Sequence, residues 1–283
     1  MTDSALSEKL EGLKESLRAM GRVAVAFSGG VDSTFVLKVA VETLGSGNVL
    51  AVTGQSETLA HEDFEESVRT AGAYGVEHVV LATNEVANPE YVHNASDRCY
   101  HCKRAFYEQA RDHLRERSAT YTIVSGTNAD DLGDWRPGLR AAEEQGVRSP
   151  AAEAGMTKAD IRALLREWGL PAHDRPASPC LASRIAYGEE VTVEKLRMIG
   201  EAERFLRQMG LRELRVRHHG HVARIEVPPD RIAELAAPNV RARIDGRLRE
   251  LGFAYVALDL RGFRSGSLNE VIAFGKAQPP ASR

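Results

Sequence analysis

The chain predicts an α/β fold, a parallel sheet with helices on both faces, followed by a smaller C-terminal α+β domain. Three observations carry this expectation. Short apolar runs alternate with amphipathic helical patterns through residues 22–126, as strands covered on both faces require. The alternation then breaks in a Pro-, Ala- and Ser-rich segment, PAHDRPASPCLASRIAYGEEV, at 171–191. Beyond it the pattern changes to a helix, a strand pair around a His-rich turn, further helices and a last strand.

The strands of the first part are RVAVAF (22–27), VLAVTG (49–54), EHVVLAT (77–83) and YTIVSG (121–126). Helical patterns at 32–44, 61–73 and 102–117 connect them. TKADIRALLREWG (157–169) adds a helix with a Thr cap at its start and Gly-Leu-Pro at its end. In the second part a helix covers 192–209, the strand pair lies in LRELRVRHHGHVARIEV, helices fall within 230–251, and FAYVALDLRG (253–262) closes the pattern. The expected organisation is a first domain over 1–175, a cysteine-bearing loop over 176–191 and a second domain over 192–283.

Composition narrows the function classes. With 283 residues, a net charge of −3, 43% hydrophobic and 27% charged residues, the chain is an ordinary globular one, not basic enough to announce nucleic-acid binding. No apolar run approaches bilayer length, and MTDSALSEKLEGLKESL reads as a charged amphipathic helix rather than a signal peptide. The expectation is a cytoplasmic protein without membrane or nucleic-acid partners. Its three cysteines, Cys99, Cys102 and Cys180, are an odd number, which argues against a disulfide framework and towards chemistry or metal.

Ligands of parallel sheets gather beyond the carboxyl ends of the strands, an edge that here carries Ser28, Gly54, Thr83 and Gly126. At this edge the first strand runs into Ser28-Gly29-Gly30-Val31-Asp32-Ser33, and a helix follows at once. Free amides of a first helical turn, the helix dipole and a glycine loop make an anion site. The pattern GxxxxGK[ST] is absent, so this is not the loop of kinases and GTPases. It resembles the SGGxDS loop of the ATP pyrophosphatases, which implies ATP cleaved between its α- and β-phosphates.

Three further constellations surround it. Ser125-Gly126-Thr127-Asn128-Ala129-Asp130-Asp131, then Asp134 and Arg136, follow the fourth strand, and carboxylates beside a triphosphate suit Mg²⁺. Cys99-Tyr-His-Cys102 is a C-x-x-C at the mouth of a helix, with Cys180 in a distant loop. It admits a zinc site completed by His101 or His173, a dithiol pair, or three thiolates on a 4Fe–4S cluster with one iron left open. Finally, Arg204, Arg207, Arg212, Arg215, Arg217 and Arg224 crowd a short span; Arg215 and Arg217 alternate on a strand and so share a face. Arginine forks there suit a small, multiply anionic substrate better than RNA, since no aromatics interleave; the bland reading is a solvated charged face.

Taken in order, SGGVDS, RCYHCK, SGTNADDLGDWRPG, SPCLASRIAYGE and VRHHGHVARIEV resemble the LarE sulfur transferases over about residues 5–275. The resemblance implies an adenine nucleotide α-hydrolase-like first domain. It also implies an enzyme that adenylylates the carboxylates of pyridinium-3,5-biscarboxylic acid mononucleotide and replaces AMP with sulfur, in nickel-pincer nucleotide synthesis. By the same resemblance ATP is held by Ser28, Gly29, Gly30, Asp32, Ser33, Gly126, Asn128 and Asp130, with Asp32 and Cys180 catalytic. Arg184, Arg215 and Arg217 take the substrate. With all three cysteines present, the chain resembles the members whose thiols hold a 4Fe–4S cluster and use sulfide or another sulfur donor repeatedly, rather than those that sacrifice one cysteine. A homo-oligomer, hexameric in the family, is implied as well. The alternatives are a tRNA-thiolating relative and a non-catalytic adenine-nucleotide-binding module.

Overall fold

The computed structural model describes residues 4–133 and 137–264. The chain divides into two compact units, Met1–Ser178 and Pro179–Arg283, so the cysteine loop at 180 belongs with the second.

The first unit begins with α1 (Ser4–Met20) and continues β1 (Val23–Ala26), α2 (Val31–Leu44), β2 (Val49–Gln55), α3 (His61–Ala73) and β3 (Glu77–Ala82). Then come α4 (Pro89–Val92), α5 (Arg98–Arg115), β4 (Thr122–Val124), α6 (Pro137–Glu144), α7 (Pro150–Glu153) and α8 (Lys158–Glu167). The four strands form one parallel sheet in the order β3-β2-β1-β4, with Val23 opposite Val49 on one side and Thr122 on the other. Side chains of β1 alternate between the two faces, and each face has its own core. Val23 and Val25 pack with Leu13 and Leu17 of α1, Phe35 and Leu37 of α2, and Ile161 and Leu165 of α8. Ala24 packs with Leu50, Val52, Phe106, Ala110 and Leu114, which seats α5 on the opposite face. Each such buried Leu or Phe contributes about 1.5–3 kcal/mol relative to exposure, and this fixes the sheet edge on which the loops must open.

Local signals set the helix ends. Thr157 accepts from the amide of Asp160, and the Asp160 carboxylate accepts from the amide of Thr157, a reciprocal box that starts α8 where the sequence indicates. Helix α5 begins four residues before the expected 102. Arg98 is buried and donates to Asn94 Oδ1 at 2.5 Å, which draws the chain into helix early and puts both cysteines inside the first turns.

The second unit contains a short 3₁₀ turn at Leu181–Arg184, α9 (Val193–Gln208), β5 (Arg215–His219), β6 (Val222–Glu226), α10 (Ile232–Ala236), α11 (Pro238–Glu250) and β7 (Tyr255–Leu258). β5 and β6 form the expected antiparallel hairpin, turned at Gly220 with φ +58, and β7 adds to β6 in parallel. Leu206 of α9, Val216 of β5, Ile225 of β6 and Leu248 of α11 meet in its core.

Candidate functional site

The loop between β1 and α2 has a backbone that only glycine accommodates. Gly29 has φ +72, and a Cβ there would lie 3.2 Å from the Ser67 amide nitrogen and 3.3 Å from the Asp63 carbonyl of α3. Gly30 is the N-cap of α2. Ser33 Oγ donates to the Gly30 carbonyl at 3.2 Å and lies 3.3 Å from Ser28 Oγ, so two hydroxyls brace the loop from inside. The first amides of α2 are left without intrahelical acceptors, as at any helix start.

The exit of β4 lies against this loop. A Cβ on Gly126 would come within 2.6 Å of the Ser33 amide nitrogen and 2.9 Å of its Cα. Glycine therefore lets two backbones touch at this point. Beyond it, Asn128 Nδ2 donates to Asp32 Oδ1 at 3.4 Å, the Asp130 amide to Asn128 Oδ1 at 3.0 Å, and the Asn128 amide to Asp131 Oδ2 at 3.1 Å. Ser28, Gly29, Gly30, Asp32, Ser33, Gly126, Asn128 and Asp130 thus gather at one sheet edge. Asp134 and Arg136 lie outside the described residues.

Two cations at this edge escaped the sequence reading. Lys158 Nζ donates to Asp32 Oδ2, and the Lys158 amide donates to Asp130 Oδ2 at 2.8 Å. The start of α8 therefore meets Asp130 through its amide and Asp32, in the first turn of α2, through its lysine. Arg175 donates to the Gly29 carbonyl and pairs with Glu66. The available signal was position: Lys158 is the first helical residue after a cap, and Arg175 follows that helix closely.

Cys99 is exposed and Cys102 half-buried, both in the first turns of α5, and Cys102 Sγ donates to Glu85 Oε1 at 3.9 Å. Among the described residues no three His, Cys, Asp or Glu side chains form a group that could hold a metal ion. His101 Nε2 lies 3.5 Å from Asp97, and His173 Nδ1 is 2.9 Å from the Leu170 carbonyl.

In the second unit, Cys180 caps the turn Leu181–Arg184. Its carbonyl accepts from the Ser183 amide at 2.9 Å and from the Arg184 guanidinium at 3.1 Å. Arg184, expected to contact substrate, is 1% exposed. Its fork meets Glu203 at 2.9 and 3.0 Å. Arg217 forks onto Glu226 at 3.0 Å twice and donates to the Ser183 carbonyl at 2.8 Å. Arg215 and Arg217 are each 6% exposed, so the solvated-face reading fails for both. Arg207 joins Glu203, and Arg224 joins Glu226 and Asp259; Arg212 is exposed, and Arg204 pairs with Glu201.

The charges of this cluster act on one another. Burial alone would raise the Glu203 carboxyl, but Arg184, Arg207 and Arg215 outweigh it and hold Glu203 below the ordinary carboxylate value. Arg215 is pushed down to about 10 by burial first and then by the like charges of Arg184, Arg217 and Arg207, against the pull of Glu203. Its guanidinium stands 5.0 Å from the Phe263 ring.

A glycine-lined loop at a parallel-sheet edge, two helix N-termini and an Asp–Lys–Asn cluster define an ATP-using enzyme of the PP-loop class. The comparisons agree. The NAD synthase family model matches residues 5–120. An uncharacterised protein of Synechocystis is 42% identical over 94% of this chain and 99% of its own length. The pyridinium-3,5-bisthiocarboxylic acid mononucleotide synthase of Lactiplantibacillus plantarum is 38% identical over 97% of this chain and 98% of its own. The tRNA-specific 2-thiouridylase of Azorhizobium caulinodans is 30% identical over 63% of this chain and 55% of its own. The chain belongs to the LarE family of PP-loop sulfur transferases. Among the described residues no helix is long and apolar enough to cross a membrane.

Proposed function

We propose that this enzyme adenylylates the carboxylates of pyridinium-3,5-biscarboxylic acid mononucleotide and exchanges AMP for sulfur, in the synthesis of the nickel-pincer nucleotide. The observation that carries the reading is the Asp32–Lys158–Asn128–Asp130 cluster at the glycine loop, together with end-to-end similarity to a synthase of that name. The similarity to a tRNA thiolase is partial by comparison.

A carboxylate is a poor acyl donor because oxide is a poor leaving group. In this reading its oxygen attacks the α-phosphorus, the bond to the β-phosphate oxygen breaks, and pyrophosphate leaves into the amides of the glycine loop. Ser28 and Ser33 add hydroxyl donors. Asp32 and Asp130 would hold Mg²⁺ in this reading, and Lys158 would then turn from Asp32 to a phosphate oxygen. A sulfur nucleophile next forms a C–S bond at the acyl carbon as the C–O bond to AMP breaks. Arg184, Arg215 and Arg217 are the proposed substrate-binding residues of the reading. The depressed basicity of Arg215 supports it, since an incoming phosphate or carboxylate would relieve the crowding of like charges.

Cys99, Cys102 and Cys180 are the proposed thiolate ligands of a 4Fe–4S cluster, with Cys180 the proposed catalytic cysteine. Two thiols three residues apart in one helical turn, one exposed and one half-buried, suit such ligation. When bound, the cluster would supply an open iron position for sulfide. Homo-oligomeric assembly belongs to the same proposal.

The test is pyrophosphate release by the full-length enzyme with ATP and the pyridinium nucleotide. Release with that nucleotide and not with bulk tRNA supports the reading; the reverse overturns it. Anaerobic reconstitution should yield about four irons per chain and absorption near roughly 400 nm, lost in each Cys→Ala variant.

A further inference from the structure

The peptide joining Gly29 to Gly30 lies between two residues without a Cβ, so it is the part of the loop freest to turn over. It is trans, and a planar trans peptide points its carbonyl and its N–H to opposite sides. The Gly29 carbonyl accepts from Arg175 Nη1 and, at 3.4 Å, from Thr34 Oγ1. On the other side the Gly30 amide has Ser28 Oγ at 3.4 Å, longer than an ordinary N–H···O bond. Gly30 is the N-cap of α2, so no carbonyl of that helix takes its amide.

Arg175 is itself held in place. Its other arm, Nη2, pairs with Glu66 of α3. Its backbone carbonyl accepts from Arg162 Nη2 of α8 at 2.7 Å, and Arg162 Nη1 donates to the His173 carbonyl. Three residues on, Ser178 Oγ donates to Asp63 Oδ2, in the first turn of α3, at 2.6 Å. The segment 173–178 is thus pinned to α8 and to α3, and Arg175 reaches the glycine loop from it. Were the peptide to turn over, a carbonyl oxygen would face a bound anion where the Gly30 N–H now stands, and repulsion would replace a hydrogen bond. One fork that meets a carbonyl and a carboxylate at once is a geometry lysine does not copy.

We propose that Arg175 is a positioning residue of the glycine loop: by holding the Gly29 carbonyl it aims the Gly30 amide at the departing pyrophosphate. The proposal rests on the ATP-cleaving reading above and gives a role to a cation that the reading leaves out.

Calorimetry on the full-length enzyme, with pyrophosphate and separately with AMP, decides it. Arg175→Met should weaken pyrophosphate binding about tenfold, the equivalent of one hydrogen bond to an ion. AMP carries no β- or γ-phosphate, and its affinity should stay within about twofold, well under the effect of one such bond. Arg175→Lys keeps the charge without the fork and should be about threefold weaker for pyrophosphate. Glu66→Gln loosens the fork from its other end and should act in the same direction. Unchanged pyrophosphate affinity in the folded Arg175 variants overturns the proposal. So does a loss of AMP affinity equal to that of pyrophosphate, the mark of a merely structural role. If Arg175→Met does not fold, Arg175→Lys and Glu66→Gln carry the same comparison. A wild-type enzyme that binds pyrophosphate but releases none with the pyridinium nucleotide would instead overturn the proposed reaction, and the binding ratios would still judge Arg175.

Discussion

The two units arrange polar groups by opposite means. In the first, the backbone does most of it: Gly29 and Gly126 let main chains touch, and helix starts supply the amides. In the second, side chains are the means: Arg184, Arg207, Arg215 and Arg217 are held around Glu203 and Glu226 inside the fold. A backbone site tolerates most side-chain changes but no added Cβ. A buried ionic cluster tolerates added atoms poorly and lost charges worse, because an unpaired ion remains desolvated.

The largest effect should therefore come from breaking the second unit's cluster. Glu203→Ala leaves Arg184 buried without its carboxylate and should destabilise the fold by about 3–5 kcal/mol, read from chemical denaturation. A loss below about 1 kcal/mol would mean that the cluster is less desolvated than its burial indicates. Next comes Asp32→Asn, expected to slow pyrophosphate release by about two to three decades, or roughly 2–4 kcal/mol of transition-state stabilisation, with an unchanged melting temperature. Lys158→Ala should follow Asp32→Asn in direction and Lys158→Arg should recover part of the rate; indifference to both would remove Lys158 from the phosphate site.

Acid should sharpen the contrast. Glu203 titrates below its ordinary 4.5 in the fold, so its stabilisation is complete above that value and is lost as pH falls through the lower folded value. Far-ultraviolet and thermal unfolding from pH 6 downward should show wild type losing stability below about 4.5, and Glu203→Gln losing less of it. The smallest change is at a cap. Thr157→Ala should cost about 1 kcal/mol and lower activity modestly, since the cap starts the helix that presents Lys158.

The same contrast explains what the sequence made legible. SGGVDS can be read because glycines, serines and a helix start are contiguous, and the strand ends that flank it follow from local apolar runs. The Thr157 cap was legible for the same reason. The Arg184–Glu203 pair was not: Glu203 lies 19 residues away on another element, and an ion pair between elements has no local pattern. Lys158 and Asp32 are separated by 126 residues and meet only through the sheet order.

The close approach of Gly126 to Ser33 has a dynamic consequence. With backbones that near, the loop 28–33 cannot open outward while the turn 125–131 stays in place, and Asp32–Asn128 adds a second tether. Local openings should then be shared. Amide hydrogens at Ser33 and Thr34 and at Thr127 and Asn128 should exchange with a common opening free energy, and nucleotide should slow all four together.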